Sequence, residues 1–345
     1  MHRIYKHILG VVFVSLFAAC DDWTEIESVE IENNNFKSEN PEAYAQYLEN
    51  LRNYKKSPHK ISYITLDNGT QESISLEHYI RALPDSLDMA SFRFSNRLTQ
   101  MENEEMKKVQ SEKGTKFIVT IDHDEIRWAY EKERNKLKDA GDEEALKQFP
   151  DFASCFIDSL QNSIKAANEY GYDGISFRFR GDCYQFQEEI EKMENKRQQS
   201  LLVEMIKRWK SKNEGKLLLF EGFPQNLLDK SFLSECDYII VVAGKVLGPA
   251  GVNLNILSTI SESVPIDRFI VAVDYVSNDP QKADQGYWGV DNKVRAIDGV
   301  VEYVTSEHEK YTTVGMGVYE VNLDFYSSIG VFGNVRRAIG KMNRH

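Results

Sequence analysis

Tyr172-Asp173-Gly174-Ile175-Ser176-Phe177-Arg178-Phe179-Arg180 is the stretch on which the reading of this chain turns. Alternate side chains of a β-strand point to opposite faces. Ile175, Phe177 and Phe179 therefore form one apolar face, and Ser176, Arg178 and Arg180 form the other. A strand flanked by helical stretches, here 152–170 and 187–212, belongs to a layered α/β fold. Its apolar face meets the helices. Its polar face carries two permanent cations, which need partners of opposite charge or a route to water.

The same alternation of short apolar runs and longer helical stretches extends in both directions. Strand-like runs occur at 61–66, 89–94, 116–121, 174–179, 216–220, 238–242, 269–273 and 316–322. Helical stretches occur at 103–112, 124–148, 152–170, 187–212 and 281–306. Helical connections between successive strands imply parallel pairing. Eight such units predict an α/β fold of the (β/α)8 TIM barrel type, a single domain over residues 40–345. An open doubly wound sheet is the competing architecture. It fits less well because no strand is followed by a GxGxxG turn, and Gly171 to Gly174 precede their strand. In the barrel, Ser176, Arg178 and Arg180 point inward and toward the C-terminal mouth, where ligands bind. Trp128 and Trp209 lie in helical stretches and are read as core.

With 345 residues, 41% hydrophobic and 28% charged, the chain has the composition of a globular protein able to bury a core, which excludes disordered and multi-span membrane classes. Its formal net charge of −12 argues against nucleic acid, whose phosphates need a basic surface. An uncharged ligand such as a sugar meets no such obstacle.

The N-terminus reads as an export signal. Arg3 and Lys6 precede an apolar run from Ile8 to Ala19, too short to span a bilayer core but suited to a signal peptide. Leu16-Phe17-Ala18-Ala19-Cys20 resembles a bacterial lipobox, with Cys20 as the lipidated residue; a plain secretory signal is the alternative. The acidic pair Asp21-Asp22 resembles the surface-export signal of Bacteroidetes lipoproteins. Residues 1–19 are thus read as a lipoprotein signal peptide, and 20–39 as a flexible tether to a body held at the outer membrane by its lipid. Asn40-Pro41-Glu42 then opens a lead-in helix. Three further cysteines, Cys155, Cys183 and Cys236, form no disulfide or zinc framework and are read as small buried residues. A single disulfide among them stays open.

The quoted strand resembles that of the family-18 glycoside hydrolases, the chitinases and endo-β-N-acetylglucosaminidases, which carry DGxDxDxE on barrel strand four. Asp173-Gly174 and the apolar spacers match, as does the late strand Gly315-Met316-Gly317-Val318-Tyr319. The lead-in helix is similar to that of family-18-like lipoproteins of Bacteroidetes polysaccharide-utilisation systems. What the resemblance implies is a barrel that handles N-acetylglucosamine-containing glycans. The departures are Ser176 and Arg178 in place of the two aspartates, and Arg180 in place of the glutamate. In the family that glutamate protonates the glycosidic oxygen, and the middle aspartate stabilises the substrate's own N-acetyl group as it attacks. A guanidinium keeps its proton at any working pH and cannot serve either role.

The resemblance therefore implies a non-catalytic, surface-anchored glycan-binding lipoprotein that takes N-glycan-type glycans for a neighbouring outer-membrane transporter and hydrolases. Two alternatives remain. One is an active or re-routed glycosidase using Glu221, Asp122 or Asp274; the other is a protein-interaction subunit. Arg178 and Arg180 either pair with carboxylates such as Asp122, Glu221, Asp274 and Asp324, or donate to a ligand. Tyr287 and Trp288, in the loop Asp284 to Gly289, offer an exposed stacking platform or pack onto the rim. Asp274, Tyr275, Asn322, Asp324 and Tyr326 sit at or past strand ends, where sugar contacts would be made. Asp122-His123-Asp124-Glu125 lacks a second histidine and reads as a helix start, so neither metal nor cofactor is implied.

Overall fold

A computed structural model describes residues 39–69, 80–181, 188–243, 248–282, 284–288 and 294–344. The signal segment, Cys20, the tether up to residue 38 and Cys183 lie outside these. The chain divides into two units, residues 1–47 and 48–345. Of the first, residues 39–47 are described; they contain the start of helix α1 (Pro41–Tyr54), where Asn40 Oδ1 accepts the Ala43 N–H at 3.2 Å. The rest of α1, with Leu48 and Leu51 buried, belongs to the second unit.

The second unit opens with β1 (Ile61–Leu66), β2 (Met89–Phe92), α2 (Gln100–Lys113), β3 (Lys116–Asp122), α3 (His123–Asp139), α4 (Glu143–Gln148) and α5 (Phe152–Glu169). Next come β4 (Gly174–Phe179), α6 (Glu189–Lys212), β5 (Leu217–Gly222), β6 (Tyr238–Val242), α7 (Pro249–Thr259) and β7 (Phe269–Asp274). A hairpin of β8 (Tyr287–Trp288) and β9 (Val294–Arg295) leads to α8 (Ala296–Thr305), β10 (Thr313–Tyr319) and α9 (Gly333–Met342). Eight parallel strands close into a barrel in the order β1-β10-β7-β6-β5-β4-β3-β2, so the fold is the (β/α)8 barrel.

The two-residue alternation places the core on both sides of this wall. Tyr63, Met89, Ile118, Leu219, Ile240 and Ile270 fill the inside. Ile175, Phe177 and Phe179 face outward and join Phe156, Leu202, Ile206 and Trp209 of the surrounding helices. Gly174 is obligatory where it stands, since a Cβ there would lie 2.4 Å from the carbonyl oxygen of Leu217.

Several boundaries differ from the sequence reading. The stretch 124–148 breaks at Gly141, in the left-handed region, into α3 and α4, so three helices separate β3 from β4. The barrel-facing helix of that excursion is α5, with five buried residues, whereas only His123 of α3 is buried. Trp128 on α3 is accordingly 63% exposed and not core, with the Lys132 ammonium 4.7 Å from its ring. Trp209 is buried. The stretch 281–306 is helical only from Ala296, because the β8–β9 hairpin precedes it. The last strand ends at Tyr319, three residues early, where Glu320 turns into the left-handed region at φ 54°. Cys236 is buried and Cys155 half-buried, both as free thiols.

At the N-terminal end of the barrel, carboxylates clamp adjacent strands. Asp173 accepts from the Phe117 N–H at 3.0 Å, Gln110 Nε2 at 2.7 Å and Lys116 Nζ at 3.0 Å. The first motif position is thus a strand clamp, remote from the mouth. Asp88 accepts from the Ser62 N–H and hydroxyl, each at 2.8 Å, and meets His59 Nε2 at 2.8 Å.

Two outcomes test this base. Gly174→Ala should cost about 2–4 kcal/mol of unfolding free energy in urea titration, because the added methyl meets backbone and not a yielding side chain. The Asp88 hydrogen bond raises the His59 pKa above its ordinary 6.5. A raised pKa gives stability that is full below the unfolded value and fades as pH climbs through the folded one. The melting-temperature deficit of His59→Asn should therefore be larger at acidic than at alkaline pH; an equal deficit at both refutes the ion pair.

Candidate functional site

The register of three neighbouring strands builds the site. Asp122 on β3 lies beside Arg178 on β4, and Arg178 lies beside Glu221 on β5. Parallel neighbours stand about 4.8 Å apart, so the three side chains form one row inside the C-terminal end of the barrel. Arg178 Nε donates to Glu221 Oε1 at 2.8 Å, Nη2 closes on the same oxygen, and Nη1 reaches Asp122 Oδ2 at 3.3 Å. The other Glu221 oxygen accepts from Ser176 Oγ at 3.0 Å and Tyr63 Oη at 3.2 Å. Glu221 is wholly buried, and both of its oxygens are occupied.

Arg180, one turn of the pleat further up, is about half exposed. Its Nη2 donates to Asp122 Oδ2 at 3.1 Å, and its backbone N–H donates to Asp124 Oδ2 at 2.8 Å. Asp122 also caps α3, where its Oδ1 accepts the N–H groups of Asp124 and Glu125 at 3.0 and 3.1 Å. Burial opposes the charge of Arg178, but Glu221, Tyr319 and Asp122 overcome it and raise its pKa well above the usual arginine value. Its guanidinium carbon lies 5.2 Å from the centre of the Tyr319 ring.

Asp122, Arg178, Arg180 and Tyr319 line a cavity of about 930 Å³ at the mouth, together with Asp274 and Glu320. Burial, then the charge of Glu320, pushes the Asp274 carboxyl above its ordinary value. The arginines thus do not plug the barrel; tied to its β3–β5 wall, they stand beside a cavity lined mainly by the ends of β1, β2 and β3 and by α3 and α5, with Asp274 and Tyr319 also in its lining.

Other positions singled out in the sequence serve the scaffold. Asp324 is fully buried; it accepts from Tyr275 Oη at 2.8 Å, from Asn334 Nδ2 at 2.8 Å and from the Val335 N–H at 2.8 Å, and so fastens the start of α9. Tyr275 and Asp324 are therefore partners of each other, and neither Asp324 nor Asp274 pairs with the arginines. Asn322 pins the chain after β1, with Oδ1 accepting the Asp67 N–H at 2.7 Å and Nδ2 donating to the Asp67 carbonyl at 3.1 Å. Trp288 is 5% exposed. Its ring fills the space over Gly299, edge-on to Tyr303, and gives no stacking platform. Tyr287 is half-buried in the same hairpin, and Tyr326 is exposed on the helical turn after β10. His123 is buried among Phe152, Phe156 and Phe179. Among the described residues, no group of three His, Cys, Asp or Glu side chains is placed to hold a metal. Tyr319 and Glu320 line the mouth and Tyr63 reaches Glu221 from the barrel interior; none of the three is among the residues singled out from the sequence as site candidates. The signal for Tyr319 was present in its place at the end of an apolar strand.

Residues 24–341 match the family described as "Glycoside hydrolase family 18, BT1044-like". Among solved structures, that of BT1044 superposes with a TM-score of 0.60 at 16% identity, covering 89% of this chain and 95% of the other. The endo-β-N-acetylglucosaminidase of Cordyceps militaris in apo form superposes with a TM-score of 0.57 at 15% identity, covering 87% and 96%. No curated protein matches the chain. At these identities the superpositions speak for the barrel, while the family match spans nearly the whole sequence. The chain belongs to the BT1044-like group of glycoside hydrolase family 18.

Proposed function

We propose that this protein binds N-acetylglucosamine-containing glycans of the N-glycan type at its barrel mouth and does not cleave them. The observation that carries this is the row Asp122–Arg178–Glu221, with Arg180 above it. Guanidinium groups hold the places of the family's stabilising aspartate and proton-donating glutamate. Neither can give up and regain a proton at working pH, and Arg178 would oppose a cationic intermediate. A general acid alone is worth roughly 10²–10⁴ in rate.

A re-routed hydrolase would need another carboxyl pair. Asp274 has the raised pKa of a proton donor, but Glu221 and Asp122, the carboxylates that could act with it, are both committed to the arginines. The endo-β-N-acetylglucosaminidase among the structural neighbours supports the glycan class. The export signal and Cys20 support a lipid-anchored protein at the outer membrane, with its acidic body facing outward and handing glycan to a transporter and hydrolases of the same system. Among the described residues no helix is long and apolar enough to cross a membrane.

A chitobiose-core glycopeptide incubated with the protein should remain intact by mass spectrometry while calorimetry registers binding. Steady release of sugar would overturn the proposal. The row itself should behave as structure. Arg178→Met, which strands Glu221 without its cation, should cost about 3–5 kcal/mol in chemical denaturation, and Arg178→Met with Glu221→Leu should recover most of that loss.

A further inference from the structure

A second cavity, of about 280 Å³, lies on the outer side of β4 between α3 and α6. Arg127 and Asp124 of α3, Gln199 of α6, Phe179 and Arg180 line it. Phe179 points outward from the barrel, so the wall separates this cavity from the mouth. Arg180, just past the end of β4, borders both.

Arg127 is a half-buried cation without a carboxylate. Its Nη2 donates to Asn195 Oδ1 at 2.9 Å and to Gln198 Oε1 at 2.7 Å, both neutral amide oxygens. Its Nε is buried with no partner, and among the described residues no acid pairs with it. The acids nearby are matched already. Asp124 faces His123 Nδ1 at 3.4 Å and Arg180 Nε at 3.5 Å, and Glu194 pairs with Arg197 at 3.2 Å.

Gln199, on the facing helix, gives a second observation. It is 7% exposed, and its Oε1 accepts the Leu228 N–H at 2.9 Å. Its amide nitrogen has no partner among the described residues and, unlike Arg127 Nε, is open to the cavity that the side chain lines. A guanidinium answered only by amide oxygens, opposite an idle N–H donor, is an incomplete charge-assisted set. The group that completes it accepts hydrogen bonds and carries negative charge.

We propose that the pocket between α3 and α6 holds a small oxyanion, a carboxylate or a sulfate, gripped by Arg127 and the Gln199 amide with Arg180 at its rim. The site is separate from the mouth, so the inference goes beyond the glycan-binding reading and does not rest on it. A free anion and the acidic substituent of a sugar share this chemistry, and the test tells them apart.

Calorimetry on the protein in low-salt buffer, with sodium sulfate, N-acetylneuraminic acid and the uncharged methyl ester of that acid, tests the inference. Sulfate alone binding assigns the pocket to a free anion, the acid alone to an acidic sugar, and both to the oxyanion itself. Arg127→Gln should weaken the binding by about tenfold or more, the value of one charge-assisted hydrogen bond. Gln199→Glu keeps the acceptor for the Leu228 N–H and sets a negative charge opposite Arg127. It should weaken the binding at least as much, while its melting temperature stays level or rises. Should Arg127→Gln fail to fold, Gln199→Glu decides alone. No binding of either anion, binding of the methyl ester as tight as that of the acid, or an affinity unchanged by either variant overturns the inference and leaves the glycan-binding reading standing.

Discussion

Glu221 is a carboxylate with no contact with water, and the arrangement of the mouth follows from how its charge is met. An isolated ion in such a place costs several kcal/mol. Arg178 answers it from the adjacent strand with two donors to one oxygen, and Ser176 and Tyr63 fill the other. The position that in a hydrolase would carry a catalytic aspartate is thereby turned to holding two strands together. A second arginine at position 180 also reaches Asp122, which Arg178 already touches, and meets Asp124, so the β3–β5 wall is a closed electrostatic unit. What remains for a ligand is the cavity beside that wall, lined mainly by the ends of β1 to β3 and by α3 and α5.

The barrel was legible because its signal is local. Period-two alternation in Ile175 to Phe179 set both the strand and the inward side of the arginines, and register then did what the sequence implied by bringing carboxylates beside them. The pairing with Asp122 and Glu221 was among the partners foreseen; pairing with Asp274 and Asp324 was not realised. Loop residues were less legible. Whether Trp288 faces water depends on Gly299, eleven positions on, leaving room for an indole. Whether Asp324 meets a ligand depends on α9 offering its first N–H groups. Trp128 was misplaced for a similar reason: the excursion after β3 has three helices, and its middle-distance partner against the barrel is α5 and not α3. No pattern within α3 announces that a later helix takes the inner place.

Membership of a hydrolase family and the proposed binding role are compatible once fold and chemistry are separated. The wall, the apolar interior and the clamps at the base depend on Gly174, Asp173 and the interior side chains. Proton transfer depends on two inward positions that can change without touching that scaffold. In this chain the two positions are Arg178 and Arg180, whose guanidinium groups pair with Glu221, Asp122 and Asp124.

Asp122 joins two structures through one carboxylate. One oxygen begins α3, and the other grips both arginines. Fraying of that helix's first turn would loosen the guanidinium groups, and a tighter grip on them would slow the fraying. Amide protons at positions 124 and 125 thus become reporters of the mouth: their exchange with solvent deuterium monitors, from outside the cavity, how firmly the wall is closed.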